Sequence, residues 1–210
     1  MMNSRWVKSE SILNNDDKRA SLPRPGGPLK PRLDAVQKRI QVQIARLDEI
    51  HTSLKSKDED IFRKLVDSIK ENNVQLSTVL SSELTKSRQI SRLVSLSKVA
   101  LEKLVARLSS ASDFGDLVIV LSPAMSIVKN LRSLLSQHVP EMEIELGIIS
   151  ELLSGILVDA GQVGGYVINF ETANEEAVRL IEEATLAVEQ KMKEEFPGIP
   201  DLPEIPPRLA

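Results

Sequence analysis

From Leu33 the apolar residues return every three or four positions, at Val36, Ile40, Ile44, Leu47, Ile50 and Leu54, the spacing of one helix face. A first long helix is therefore expected over about 32–55. Asp58, Glu59 and Asp60 then precede Ile61, Leu65 and Ile69, and acids at a helix start complement the macrodipole, so a second helix is expected to begin there. Its stripe runs on through Leu76, Leu80, Leu84, Ile90, Val94 and Leu101 to Leu108 with no Gly or Pro. A helix of that length needs a partner along most of it. The first helix supplies one by returning antiparallel through a tight turn near Ser56 to Asp58.

Ser110, Ser112, Asp113 and Gly115 weaken the pattern before LVIVLSPAM, whose residues 114–121 form either a short strand or an extension of the long helix. Ser122 and Pro123 read as an N-cap followed by an N1 proline, which predicts a helix over 123–137. Pro140 opens another, with Met142, Ile144, Ile148, Leu152 and Ile156 on one face, and GQVGG closes it at the start of a glycine-containing linker over 161–173. Beyond the linker, Val178, Ile181, Thr185, Val188 and Met192 form a narrow apolar stripe, while Glu175, Glu176, Glu182, Glu183 and Glu189 cover the remaining surface. This predicts an acidic amphipathic helix over 174–195, able to dock and undock. Pro23, Pro25, Pro28 and Pro31 break up residues 1–31, which read as a flexible tail. The expected fold is all-α: a long antiparallel helical hairpin, shorter packing helices over the rest of a 32–160 core, the C-terminal amphipathic helix and a proline-rich tail.

Composition sharpens this picture. The 210 residues contain only 3% aromatics, so the core must be aliphatic. There is no cysteine, which excludes disulfides, thiolate metal sites and a thiol nucleophile and fits a reducing, cytoplasmic setting. The longest apolar run, around Leu117 to Leu121, is far short of the roughly 20 residues of a spanning helix. The net charge of −3 conceals a polarity: residues 1–50 carry +4, 51–140 carry +4 and 141–210 carry −11. A basic front and an acidic back imply an anionic partner for the front, competition from the chain's own back end, or both.

No catalytic constellation emerges. His51 and His138, the two histidines, lie in different helices without a neighbouring acid and nucleophile, and read as satisfied surface residues. GQVGG lacks the Lys and Ser/Thr of a phosphate loop. DEDIF, Asp58 to Phe62, lacks the ligand count and turn glycine of a calcium loop and is better read as helix-start charge. The sequence proposes no enzyme, no cofactor and no metal site. Function must lie in binding or assembly.

The tail FPGIPDLPEIPPR carries the sharpest signal. Pro197, Pro200, Pro203 and Pro206 recur every third residue, which biases the segment to polyproline II with its three residues per turn. The side chains then sort into a proline ridge, an aliphatic ridge of Ile199, Leu202 and Ile205, and a mostly acidic ridge with Asp201 and Glu204. A plain spacer has no use for aliphatics in register. The pattern favours a partner groove that takes prolines and aliphatics beside basic residues.

Taken together, the basic hairpin, the shorter following helices, the acidic amphipathic helix and FPGIPDLPEIPPR resemble the ESCRT-III family of the archaeal CdvB type, over about residues 32–208. The tail is similar to the family's type-two MIT-interacting motif. The resemblance implies subunits that polymerise with themselves and with ESCRT-III paralogues on or near membranes and constrict them in cell division or vesicle release. It also implies a partner, the AAA ATPase CdvC, whose MIT domain would take Pro197, Ile199, Pro200, Leu202, Pro203, Ile205 and Pro206 into its groove. The acidic helix would match the autoinhibitory segment, docking through Val178, Ile181, Val188 and Met192. The chain stops after the motif, without the winged-helix extension of the largest form, so direct recruitment by CdvA is not expected.

For an anionic membrane surface the candidates are Trp6, flanked by Arg5 and Lys8, and the cations Lys30, Arg32, Lys38, Arg39 and Arg46. The same cations equally suit a solvated face that meets a neighbouring subunit's acids. Nucleic acid is not expected, because the stacking aromatics of single-strand binders are missing. The rival to a filament subunit is a coiled-coil adaptor whose tail recruits a signalling or scaffold domain.

Overall fold

The computed structural model of the protein describes residues 28–111, 114–164 and 170–202. Among them are five helices and no strand: α1 (Leu29–Lys70), α2 (Val74–Ser110), α3 (Phe114–Leu135), α4 (Pro140–Gly164) and α5 (Phe170–Glu195). The all-α expectation holds. α1 and α2 form the long hairpin, with α1 alone reaching about 63 Å at 1.5 Å per residue.

The hairpin turns later than its acids suggested. Leu54, Asp58, Ile61 and Leu65 continue one helical face, so the acidic trio sits in mid-helix and α1 passes Ser56 without a break. The reversal comes at Glu71–Asn73, where Asn72 takes a left-handed φ of 53°, a conformation that a short amide side chain tolerates. Asn73 caps α2 by accepting from the Leu76 N–H at 3.2 Å. The Ser68 and Ser77 hydroxyls lie 2.8 Å apart and 3.1 and 2.8 Å from the Asn73 carbonyl, so their two protons are shared among the three oxygens and tie the tip together.

Residues 114–121 are neither strand nor extension of α2; they are the first two turns of α3. Pro123 lies inside this helix rather than at its start. It removes one backbone hydrogen bond, yet Leu117 and Leu121 before it and Ala124, Ile127 and Leu131 after it bury one continuous face, which holds the helix together through the proline. Counted as a whole helix, Asp116–Leu135 is long and apolar enough to cross a membrane, but half of it is buried within the bundle, where core packing accounts for its composition. α4 extends through 161–164 and α5 begins at Phe170, so much of the expected linker is helical.

α3 and α4 form a second, shorter hairpin. α4 packs on α1, α3 packs on α2, and α5 lies along α2 and α3. The main core joins Leu33, Val36, Ile40 and Leu47 of α1 to Val94, Leu101, Leu104 and Leu108 of α2, and to the inner faces of α3 and α4. A second, smaller cluster, Ile61, Leu65, Leu80 and Leu84, closes the distal hairpin. Between the two lies a buried polar layer containing His51, Asp58, Ser87, Ser91 and Ser95. This break in the core positions the candidate site.

Candidate functional site on the hairpin

Two acidic helices are held to the hairpin by ionic series. Along α1, Arg32, Arg39 and Arg46 recur every seven residues and therefore share one helix face. They meet Asp159, Glu145 and Glu141 of α4 in antiparallel order, with Arg39 to Glu145 at 3.1 Å. Arg32 is buried, its guanidinium lying 3.1 Å from where a Cβ on Gly155 would stand, so the glycine leaves the space through which it reaches Asp159. These three cations had equal claims to a membrane and to protein acids. In the closed bundle they serve α4, while Lys30 and Lys38 remain exposed. Trp6 lies outside the described residues.

The second series runs along α2. Arg107, Lys103 and Arg92 meet Glu176, Glu183 and Glu189 of α5, with Lys103 donating to Glu183 at 2.7 Å and Arg107 at 3.9 Å from Glu176. The Lys103 hydrogen bond and its charge hold the Glu183 carboxyl below the ordinary carboxylate range. α5 thus runs antiparallel to α2, toward the hairpin tip.

Its apolar contact face differs from the expected stripe. Ala173, Ala177, Leu180, Ala184 and Val188 are buried, whereas Val178 is 43% exposed and Ile181 and Met192 are half-buried. The stripe of larger side chains is displaced by about one position because alanines let α5 approach α2 and α3 closely. Val188 alone of the four residues assigned to docking is buried.

At its C-terminal end α5 reaches the polar layer. His51 is not a surface residue: it is 6% exposed, and its Nε2 donates to Glu195 at 3.1 Å. Its Nδ1 lies within hydrogen-bond distance of the Ser91 and Ser95 hydroxyls, at 3.2 and 2.9 Å. Asp58, also misassigned as helix-start charge, is 2% exposed and receives both Nε and Nη2 of Arg88, at 2.7 and 3.0 Å. The third nitrogen, Nη1, donates to the Pro197 carbonyl at 2.6 Å. Arg88 also lies over the rings of Phe62 and Phe196, 5.9 and 5.4 Å from their centroids. Phe196 is only 9% exposed.

Of the tail residues assigned to a partner, Pro197 is thus tied to the hairpin through its carbonyl, Pro200 is half-buried, and Ile199 and Leu202 are exposed. Pro203, Ile205 and Pro206 lie outside the described residues. An open groove of about 430 Å³ runs beside Phe196 and Pro197, lined also by Lys55, Asp58, Glu59 and Phe62. No group of three or more His, Asp or Glu is arranged to hold a metal ion among the described residues.

Sequence reasoning missed Arg88 and its partners, yet a signal existed. An aspartate at a core position of the Leu54–Ile61–Leu65 face demands a buried cation, and serines at 87, 91 and 95 mark a polar seam opposite it.

The geometry defines a closed helical bundle: a basic hairpin whose acidic C-terminal helix folds back and seats the beginning of a proline-rich tail. Comparison with known proteins gives the family. The chain is 31% identical over 184 residues to Cell division protein B1 of Sulfolobus acidocaldarius, covering 88% of this chain and 86% of that one. It is 26% identical over 201 residues to Cell division protein B of the same organism, covering 95% and 75%. The chain belongs to the archaeal CdvB-type ESCRT-III family. No family model and no solved structure matches the sequence.

Proposed function

We propose that the protein is a non-enzymatic, polymer-forming subunit of the archaeal division machinery, described here in its closed form. It assembles with itself and with its paralogues at a membrane and remodels or constricts that membrane, at division or budding sites. The tail then binds the MIT domain of the AAA ATPase CdvC, which disassembles the polymer. The relatives named for cell division support the division role. The observation that supports the closed-to-open reading is the acid-to-cation series of α5 on α2, which pairs Arg92, Lys103 and Arg107 with glutamates of the C-terminal helix.

Release of α5 would present these cations together with Lys30 and Lys38 to an anionic membrane, each contributing about 1 kcal/mol near the surface. Deletion of residues 161–210 tests the reading. The truncated chain is expected to form concentration-dependent filaments and to deform anionic liposomes, while the full chain stays dispersed. A truncated chain that remains monomeric and ignores such liposomes would leave the coiled-coil adaptor as the better account.

A further inference from the structure

We propose that the groove where α2, α5 and the α3–α4 turn meet is a binding site for a single-chain anionic amphiphile, an alkyl carboxylate or alkyl phosphate. The site depends on the closed arrangement of α5 and on no residue of the tail.

Along α2, Lys86, Ile90, Leu93 and Leu96 follow one another at steps of four, three and three, so they line one face of the helix. That face is not sealed. Ile90, Leu93 and Leu96 are half-buried, and beside them opens a groove of about 560 Å³ whose other walls include Thr185 and Val188 of α5 and His138 of the α3–α4 turn. From Lys86 to Leu96 the track runs about 15 Å at 1.5 Å per residue. The volume spread over that length gives a section of roughly 40 Å², about half of what a helix 10 Å across would fill. A helix of a second copy could therefore only lie over the groove. An extended alkyl chain of about ten to twelve carbons, with bonds of about 1.5 Å, matches the length and enters it. Small-molecule sites have this range of volume and this character, mostly apolar with a few placed polar groups.

Charge sets the head group. No acid lines the groove among the described residues; its charged and titratable groups are Lys86, Arg92 and His138. Arg92 is paired with Glu189 of α5. Lys86 and His138 are exposed and make no ion pair among the described residues, which leaves Lys86, at one end of the aliphatic track, to receive an anion. A neutral or cationic head group would forgo that contact. Because α5 supplies one wall, a chain lying in the groove touches α2 and α5 together, and its binding stabilises their contact.

The test is a calorimetric titration of the full chain with decyl phosphate below its micellar concentration, beside inorganic phosphate and decyltrimethylammonium. Decyl phosphate is expected to bind one-to-one and about 10-fold or more tightly than either control. Lys86→Glu should weaken it about 10-fold, and Ile90→Trp, which fills the track, should abolish it. Circular dichroism checks that both variants keep their helices, and Lys86→Glu, at an exposed position, decides the outcome should the larger side chain disturb them. Decyl phosphate should also slow amide exchange across 185–188 of the unaltered chain. Failure of decyl phosphate to saturate, equal binding of decyltrimethylammonium, or binding indifferent to both substitutions overturns the site. So does a change in the chain's own sedimentation on Ile90→Trp when the unaltered chain binds no amphiphile, since a second copy would then cover the groove.

Discussion

α4 and α5 are both acidic helices laid against the hairpin by three ion pairs to spaced cations, yet they are attached in different ways. α4 buries Met142, Leu146, Ile149, Leu153, Ile156 and Leu157 in the main core. α5 buries three alanines with Leu180 and Val188. At roughly 1.5–3 kcal/mol for each large aliphatic side chain, the apolar contact of α4 exceeds that of α5 several-fold. Exposed ion pairs are weak in water, so those of either series set register more than strength. Both helices reach the main core, but α5 does so through Ala177, Leu180 and Ala184 and therefore with fewer large side chains than α4.

The sharpest way to break this comparison is to replace a core leucine in each helix. Leu153→Ala in α4 should cost about 2–5 kcal/mol of global stability in denaturant unfolding, as expected for a fully buried leucine. If Leu153→Ala instead left the midpoint unchanged, α4 would be no more integral than α5. Leu180→Asp in α5 should have a smaller and local effect. Amides across 173–196 are expected to lose protection from exchange while those of α1 to α4 keep theirs, and loss of protection throughout would show that α5 is not separable.

Acidification supplies the smallest effect. Glu183 has its folded pKa lowered by the hydrogen bond and charge of Lys103, from an ordinary value of 4.5. Its contribution to closure is fully present above pH 4.5 and is lost as pH falls through the lower folded value. Exchange along α5 should therefore rise slightly in that acid range. Glu183→Gln should show the same loosening at neutral pH and a flatter response, whereas an unaltered acid response would place the effect in another group.

Much of the architecture was legible in the residues, and the failures share a cause. The apolar steps from Leu33 to Leu54 and from Leu76 to Leu108 announce two long paired helices, because helix periodicity is local. The sequence points to a turn at Ser56 because acids before an apolar run resemble a helix start, while the reversal at Asn72 and Asn73 has neither Gly nor Pro to mark it. Pro123 resembles a helix start for a similar reason: local chemistry favours it at N1, and only the apolar face continuing on both sides overrides that preference. On α5, the larger apolar residues drew attention from the alanines that make the contact.

By itself, the sequence determined the helical class, the opposed charges of front and back, and the three-residue period of the tail. These are properties of neighbours along the chain. Tertiary structure alone decided which acids meet which cations, since Arg32 and Asp159, or Arg92 and Glu189, are about a hundred residues or more apart. It also decided that His51 and Asp58 are buried and that Arg88 holds the first turn of the tail. A guanidinium that bonds Asp58 on one segment and Pro197 on another acquires its role only when the hairpin closes and α5 comes back to meet it.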